Sequence, residues 1–138
     1  MLIAEYAEDL EKWRQGAPVY IPIEGGQITF YLRRWGTPES EKRLKRIKQA
    51  LFGPMHRETG EDSALVFAHW LADYGVVRWD DFESEGETVK HSPSRARELF
   101  LDERYFYSLN QMLINEALNY ETFLYEQVEE AADEIKKP

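Results

Sequence analysis

The chain contains no cysteine. That excludes a disulfide framework, Cys-ligated zinc, iron–sulfur clusters and thiol catalysis, and it fits a reducing cytoplasm. Long apolar runs are missing as well, since none approaches the roughly 18–20 residues a membrane span needs. Near the N-terminus Glu5, Glu8 and Asp9 stand where a secretory leader would carry bases. Histidine is scarce. His56, His69 and His91 are the only imidazoles; none sits in an HExxH or Glu-x-x-His arrangement. No GxGxxG, Walker-type or GxSxG stretch occurs. We therefore expect a soluble, cytoplasmic, non-enzymatic chain with no catalytic residues, no metal and no cofactor.

Bases are the minority, 17 against 26 acids, for a net charge of −9. Seven of them fall between Arg33 and Lys48, a stretch that reads as the solvated face of a helix. Acids dominate from Asp73 to Glu87 and from Glu116 to Glu134. Such a balance repels nucleic acid on the whole and predicts no nucleic-acid partner, while the basic stretch leaves room for local contact with phosphate. One acidic stretch imitates a calcium loop: Asp81, Glu83 and Glu85 alternate and Gly86 follows. The twelfth position, where a bidentate glutamate belongs, is Ser92, so an acidic surface turn is the reading.

What is present is enough for one packed domain: 138 residues, 43% hydrophobic and 14% aromatic. The expected fold is α+β, mainly α, with a β-hairpin packed against four to five helices. Ile3, Tyr6, Leu10 and Trp13 recur at helical spacing and predict an N-terminal helix within 1–17, ended by Gly16 and Pro18. Residues 18–36 read as a hairpin turning at Gly25-Gly26, with Ile28, Phe30 and Leu32 on one face. Pro22 marks the first strand as an edge.

Helices with an intervening acidic turn occupy 37–101. Thr37-Pro38-Glu39 starts the first, which runs to about Leu51 with Leu44, Ile47 and Leu51 inward. Ser63 caps the next, through Tyr74, with Leu65, Ala68, His69 and Ala72 on one face. Val76 to Trp79 is extended, Thr88-Val89-Lys90 can pair back as a minimal second hairpin, and Ser92-Pro93 opens another helix. Asp102 caps a last, long helix over 102–135. Phe106, Leu109, Leu113, Ala117, Tyr120, Leu124, Val128, Ala131 and Ile135 form its heptad-like stripe.

The first half of that stripe suits the domain's own core. The second half fits either a solvated face or a helix that meets a partner helix, and a heptad-like edge is compatible with self-association. The partner surface expected here comprises Tyr120, Leu124 and Val128 with Glu121 beside them. The aromatic set Tyr20, Tyr31, Trp35, Trp79, Tyr105 and Tyr107 exceeds what one small core hides. Trp79 is taken as a further anchor.

The stretch from Trp70 to Val77, then Gly86-Glu87-Thr88-Val89, then Ser92 to Phe100 with Asp102, and finally Glu116-Ala117, resembles the tail assembly chaperones of long-tailed bacteriophages and prophages. The hairpin Val19 to Trp35 followed by Thr37-Pro38-Glu39 is similar to that family's N-terminal half. His91 departs from the pattern, which has an aromatic or apolar residue before the serine, and the acidic extension past Glu121 is longer. The resemblance implies a non-enzymatic role in the host cytoplasm: binding and solubilising the tape-measure protein and recruiting tail-tube subunits. Two other classes stand beside it, an acidic inhibitor that mimics DNA and a minor structural component of the virion or its connector.

Overall fold

The computed structural model describes residues 2–54, 58–80, 82–84 and 86–125. Strands β1 (Ala17–Ile23) and β2 (Gly26–Leu32) form the expected hairpin, pairing from Ala17↔Leu32 to Ile23↔Gly26. The turn is Glu24-Gly25, and of the two glycines Gly25 is the one with a positive φ, 86°. Strand β3 (Val76–Trp79) adds antiparallel to β2, giving the order β1-β2-β3. β1 is therefore an edge, as Pro22 predicted.

That edge is blunted. The Thr29 carbonyl accepts from Asp80 N–H on the β3 side (3.0 Å), so odd-numbered β2 residues direct their backbone groups to β3. Their partners on β1, Pro18, Tyr20 and Pro22, direct theirs outward. Two of the three have no N–H to offer, and Tyr20 alone could donate to an added strand.

Helix α1 (Leu10–Gln15) precedes the hairpin, and α2 (Pro38–Phe52) follows it, with Thr37 as the N-cap accepting from Ser40 N–H. Gly53 ends α2 as its C-cap, with its N–H donating to the Gln49 carbonyl. Helix α3 (Gly60–Trp70) starts earlier than Ser63: Thr59 and Asp62 form a reciprocal capping box, which satisfies two backbone donors where Ser63 would satisfy one. A π-helical turn, Leu71–Gly75, continues α3 into β3. Strands β4 (Phe82–Ser84) and β5 (Glu87–Val89) make the second hairpin, followed by α4 (Pro93–Phe100), capped by Ser92, and α5 (Leu109–Leu118).

The helices cover the sheet face that carries Val19, Ile21, Ile28, Phe30 and Leu32. Trp70 stands at the middle of this core, fully buried, with its Nε1 donating to Ser40 Oγ (3.1 Å). The ring of Trp35 lies 4.8 Å from it and that of Tyr74 5.7 Å. The fold is thus mixed α+β and mainly α, with five α-helices and two small antiparallel sheets among the described residues.

Three expectations are corrected. The N-terminal helix is two pieces, a 3-10 turn over Leu2–Tyr6 and then α1, because Asp9 restarts the helix as a cap, accepting from Glu11 N–H (3.0 Å). Its stripe does not enter the core: Ile3, Tyr6 and Leu10 are exposed.

The face read as shared by Leu65, Ala68, His69 and Ala72 is not the one α3 buries: apart from Ala68 it is only half-buried. Ala64, Val66, Ala68 and Trp70 take the interior.

The long helix over 102–135 is interrupted. Asp102 caps only a 3-10 turn, Glu103–Tyr105, and α5 stops at Leu118. The cause of the stop is tertiary. Ala117's carbonyl, which would serve the next turn, accepts instead from Trp35 N–H (2.9 Å) and from Arg34 Nη1 (3.1 Å). Asn119 then accepts from Glu121 N–H and opens a 3-10 turn, Tyr120–Phe123. Phe123, outside the heptad stripe, is the residue that becomes buried. The remainder of the expected helix, Val128, Ala131 and Ile135 included, lies outside the described residues.

Candidate functional site

The segments at either end of the described chain meet on one side of the domain. Asp9 N–H donates to the Phe123 carbonyl (2.7 Å), Glu8 and Leu124 form an antiparallel bridge, and Lys12 Nζ donates to the Leu124 carbonyl (2.6 Å). Behind this contact the Glu8 carboxylate accepts from Arg34 Nε (2.7 Å) and from Trp13 Nε1 (3.0 Å). Both side chains of the Glu8–Arg34 pair keep under a fifth of their surface exposed, 19% and 18%. An ion pair withdrawn from water to this extent, with its other donors placed on carbonyls, holds its geometry far better than a surface pair. The Arg34 guanidinium also lies 5.6 Å from the centre of the Phe123 ring.

On the outside of this clamp lies an apolar surface. The rings of Tyr6 and Tyr120 are 5.8 Å apart, and the two residues are 62% and 36% exposed. Ile3 is exposed three residues before Tyr6 in the same 3-10 turn, which places it on the same face. Partial burial, then the neighbouring Glu121 carboxylate and Tyr6, raise the Tyr120 phenol above its ordinary range. The Tyr120 ring is therefore neutral at physiological pH, and the pair presents an apolar body with a hydroxyl rim, the combination favoured in protein contacts.

An open groove of about 680 Å³ lies between the outer edge of β1 and the end of α5. Tyr20 and Met112 supply exposed apolar surface there; Lys12, Glu116 and Glu121 supply charge. Glu116 also accepts from Thr122 Oγ1 (2.9 Å), which fixes the turn that carries Tyr120.

Of the residues expected to bind a partner, Tyr120 and Glu121 reach this surface. Leu124 is half-buried, its backbone engaged by Glu8 and Lys12. Val128 lies outside the described residues. Trp79 is a correction: it is buried between Phe30 and Phe100, touches His91 edge-on at 4.7 Å, and donates Nε1 to the Val89 carbonyl (3.3 Å). It anchors the second hairpin to the core rather than a partner. Of the wider aromatic set, Tyr20 and Tyr107 are exposed, whereas Tyr31, Trp35 and Tyr105 are half-buried.

Sequence reasoning missed Tyr6, Glu8, Arg34 and Met112 as parts of this side. Local spacing puts Tyr6 on a continuous helix face and Arg34 in a solvated basic run, and no local pattern in the sequence reports their pairing with residues about a hundred positions away.

No group of three or more His, Asp and Glu that could hold a metal occurs among the described residues, and none of their helices is long and apolar enough to cross a membrane. No protein-family model matches the chain, and searches of curated proteins and of solved structures found no match.

Proposed function

We propose that this chain is a non-enzymatic binding protein, a tail assembly chaperone of a long-tailed phage or prophage, that captures apolar segments of the tape-measure protein. The observation that carries the reading is the exposed Tyr6–Tyr120 pair with, next along the chain at Glu121, a groove of mixed apolar and charged lining. A tape-measure protein offers long apolar helical stripes that aggregate unless covered, and aromatic anchors over a groove are a means of covering them. The resemblance over Trp70–Val77, Gly86–Val89 and Ser92–Phe100 supplies the phage-tail context and the tail-tube subunit as second partner. The excess of acids keeps such a complex soluble.

The test is affinity capture with this chain from cells producing the phage, read by mass spectrometry. The expected catch is a very long, largely helical polypeptide, with or without the tail-tube subunit, retained when salt rises from about 50 to 200 mM because apolar capture is weakly screened. A nuclease, polymerase or repressor caught in its place, and released by salt, overturns the chaperone reading in favour of an acidic inhibitor.

A further inference from the structure

Although the chain as a whole is strongly acidic, one cleft on its surface carries the opposite charge. The residue after β2, the second turn of α2, the π-helical turn and the start of α4 surround an opening of about 440 Å³. Arg33, Arg43 and Arg97 line it with one carboxylate, Asp73, an excess of two positive charges.

Arg33 is fixed in place: its Nε donates to the Arg14 carbonyl (2.8 Å) and its Nη1 to the Tyr74 carbonyl (2.8 Å), while its Cζ stacks 4.6 Å from the centre of the Tyr74 ring. Arg43 approaches the same ring at 5.7 Å. Neither makes an ion pair with a carboxylate among the described residues. Arg97 Nη2 meets Asp73 Oδ1 at 2.9 Å, and Asp73 Oδ2 lies 3.7 Å from His69 Nδ1.

His91 lines the cleft too, and burial lowers its pKa, so the imidazole is neutral at physiological pH and leaves the charge excess unaltered. Glu39, one turn before Arg43 on α2, lines an adjoining hollow with Arg14 and Tyr74 and not the cleft itself.

A guanidinium has five N–H donors in a planar fork suited to oxyanions, and Arg33 uses two groups on carbonyls that carry no net charge. Arg33 and Arg43, both half-buried, lie against one tyrosine ring and line one cleft, and an anion bound there offsets the repulsion between their like charges. The excess of two charges matches a dianion better than a monocarboxylate. Ala72, Val76 and Val77 give the cleft an apolar wall, and its volume falls in the range of small-molecule sites. We propose that this cleft binds the phosphate monoester of a small organic molecule, with Arg33 and Arg43 as the fixed grip and Arg97 as a recruitable third arm.

The test is a titration of the full chain, isotopically labelled and followed by NMR at constant ionic strength, with inorganic phosphate, glycerol 3-phosphate and acetate. Saturable shifts at Tyr74, Val76 and His91 are expected with both phosphates, glycerol 3-phosphate binding more tightly through its organic part, and none with acetate. R43Q is expected to weaken phosphate binding about tenfold, and R43K, which keeps the charge and loses the fork, by less. K48Q, on the same helix outside the cleft, leaves it unchanged. The melting temperature of R43Q, expected to stay near that of the parent, separates lost binding from lost folding. Unsaturable drift, equal shifts with acetate, or phosphate binding that survives R43Q in a folded chain overturns the proposal.

Discussion

Replacing Trp70 with alanine is expected to lower the free energy of unfolding by about 3–5 kcal/mol, measured by urea denaturation. The indole is fully buried, and the rings of Trp35 and Tyr74 pack on it. Truncation opens a cavity that these rigid neighbours cannot collapse to fill, and it leaves Ser40 Oγ, also buried, without its donor. For a domain whose whole stability is on the order of 10 kcal/mol, that is a third or more of the total.

Gly75 provides the converse test. A Cβ added there would lie 2.3 Å from Trp70 Cζ3, so Gly75→Ala forces the indole or the π-helical turn to move, at a cost of about 3 kcal/mol. The two effects are coupled. With Trp70→Leu already present, Gly75→Ala should cost much less, and additive losses would show that the close approach of turn and indole is not what Gly75 provides.

Replacing Arg34 with alanine is expected to cost about 2–3 kcal/mol and to act locally. It leaves the Glu8 carboxylate half-buried with Trp13 Nε1 as its one remaining described partner. It also removes one of the two donors on the Ala117 carbonyl, Trp35 N–H remaining, and takes the cation from the Phe123 ring. Hydrogen exchange should accelerate over residues 2–9 and 119–125 while β2 and α3 keep their protection, because the clamp holds the two end segments to each other and not the sheet to the helices. Arg34→Lys, which retains charge without the fork, should recover less than half of the loss. Uniform acceleration across the domain would mean that Arg34 supports the core at large.

The features that the sequence announced are those whose determinants are local. A cap followed by proline starts α2 at Thr37-Pro38 and α4 at Ser92-Pro93, and a single glycine of positive φ turns the first hairpin. The failures fall where a distant group decides. Spacings of three and four continue through Ala117 and Tyr120, so periodicity alone carries the helix onward. Its end is imposed by Trp35 N–H and Arg34, the latter 83 positions away in the chain. The stripe therefore does not survive as one helix face: Leu113 and Ala117 are core, Tyr120 is exposed, and Leu124 pairs with Glu8 through its backbone. Trp79 is similar. Its burial depends on β3 pairing with β2 across the whole of α2 and α3, in a register that sets it opposite Phe30, and no local pattern encodes that.

The candidate surface was legible only in part for the same reason. The periodic stripe points to Tyr120, with Glu121 beside it, but Tyr6, Glu8 and Arg34, which complete this side, come from segments whose own local signals point elsewhere: a helix face for Tyr6, a solvated basic run for Arg34. The arginine cleft was hidden in that run as well. Of its seven bases, Arg33 and Arg34 turn inward onto backbone carbonyls, and Arg43 lies on Tyr74.

The Tyr6–Tyr120 surface is proposed as the site that binds a protein partner. Its most direct test is the affinity of the purified chain, and of a Tyr6→Asp/Tyr120→Asp variant, for a purified apolar helical segment of the tape-measure protein, by titration calorimetry. Both side chains are exposed, so the variant should melt within a few degrees of the parent. The predicted result is binding by the parent and a loss of about a hundredfold or more in the variant, as expected when two aromatic anchors are replaced by charges. Equal affinity of parent and variant, in folded protein, would contradict it.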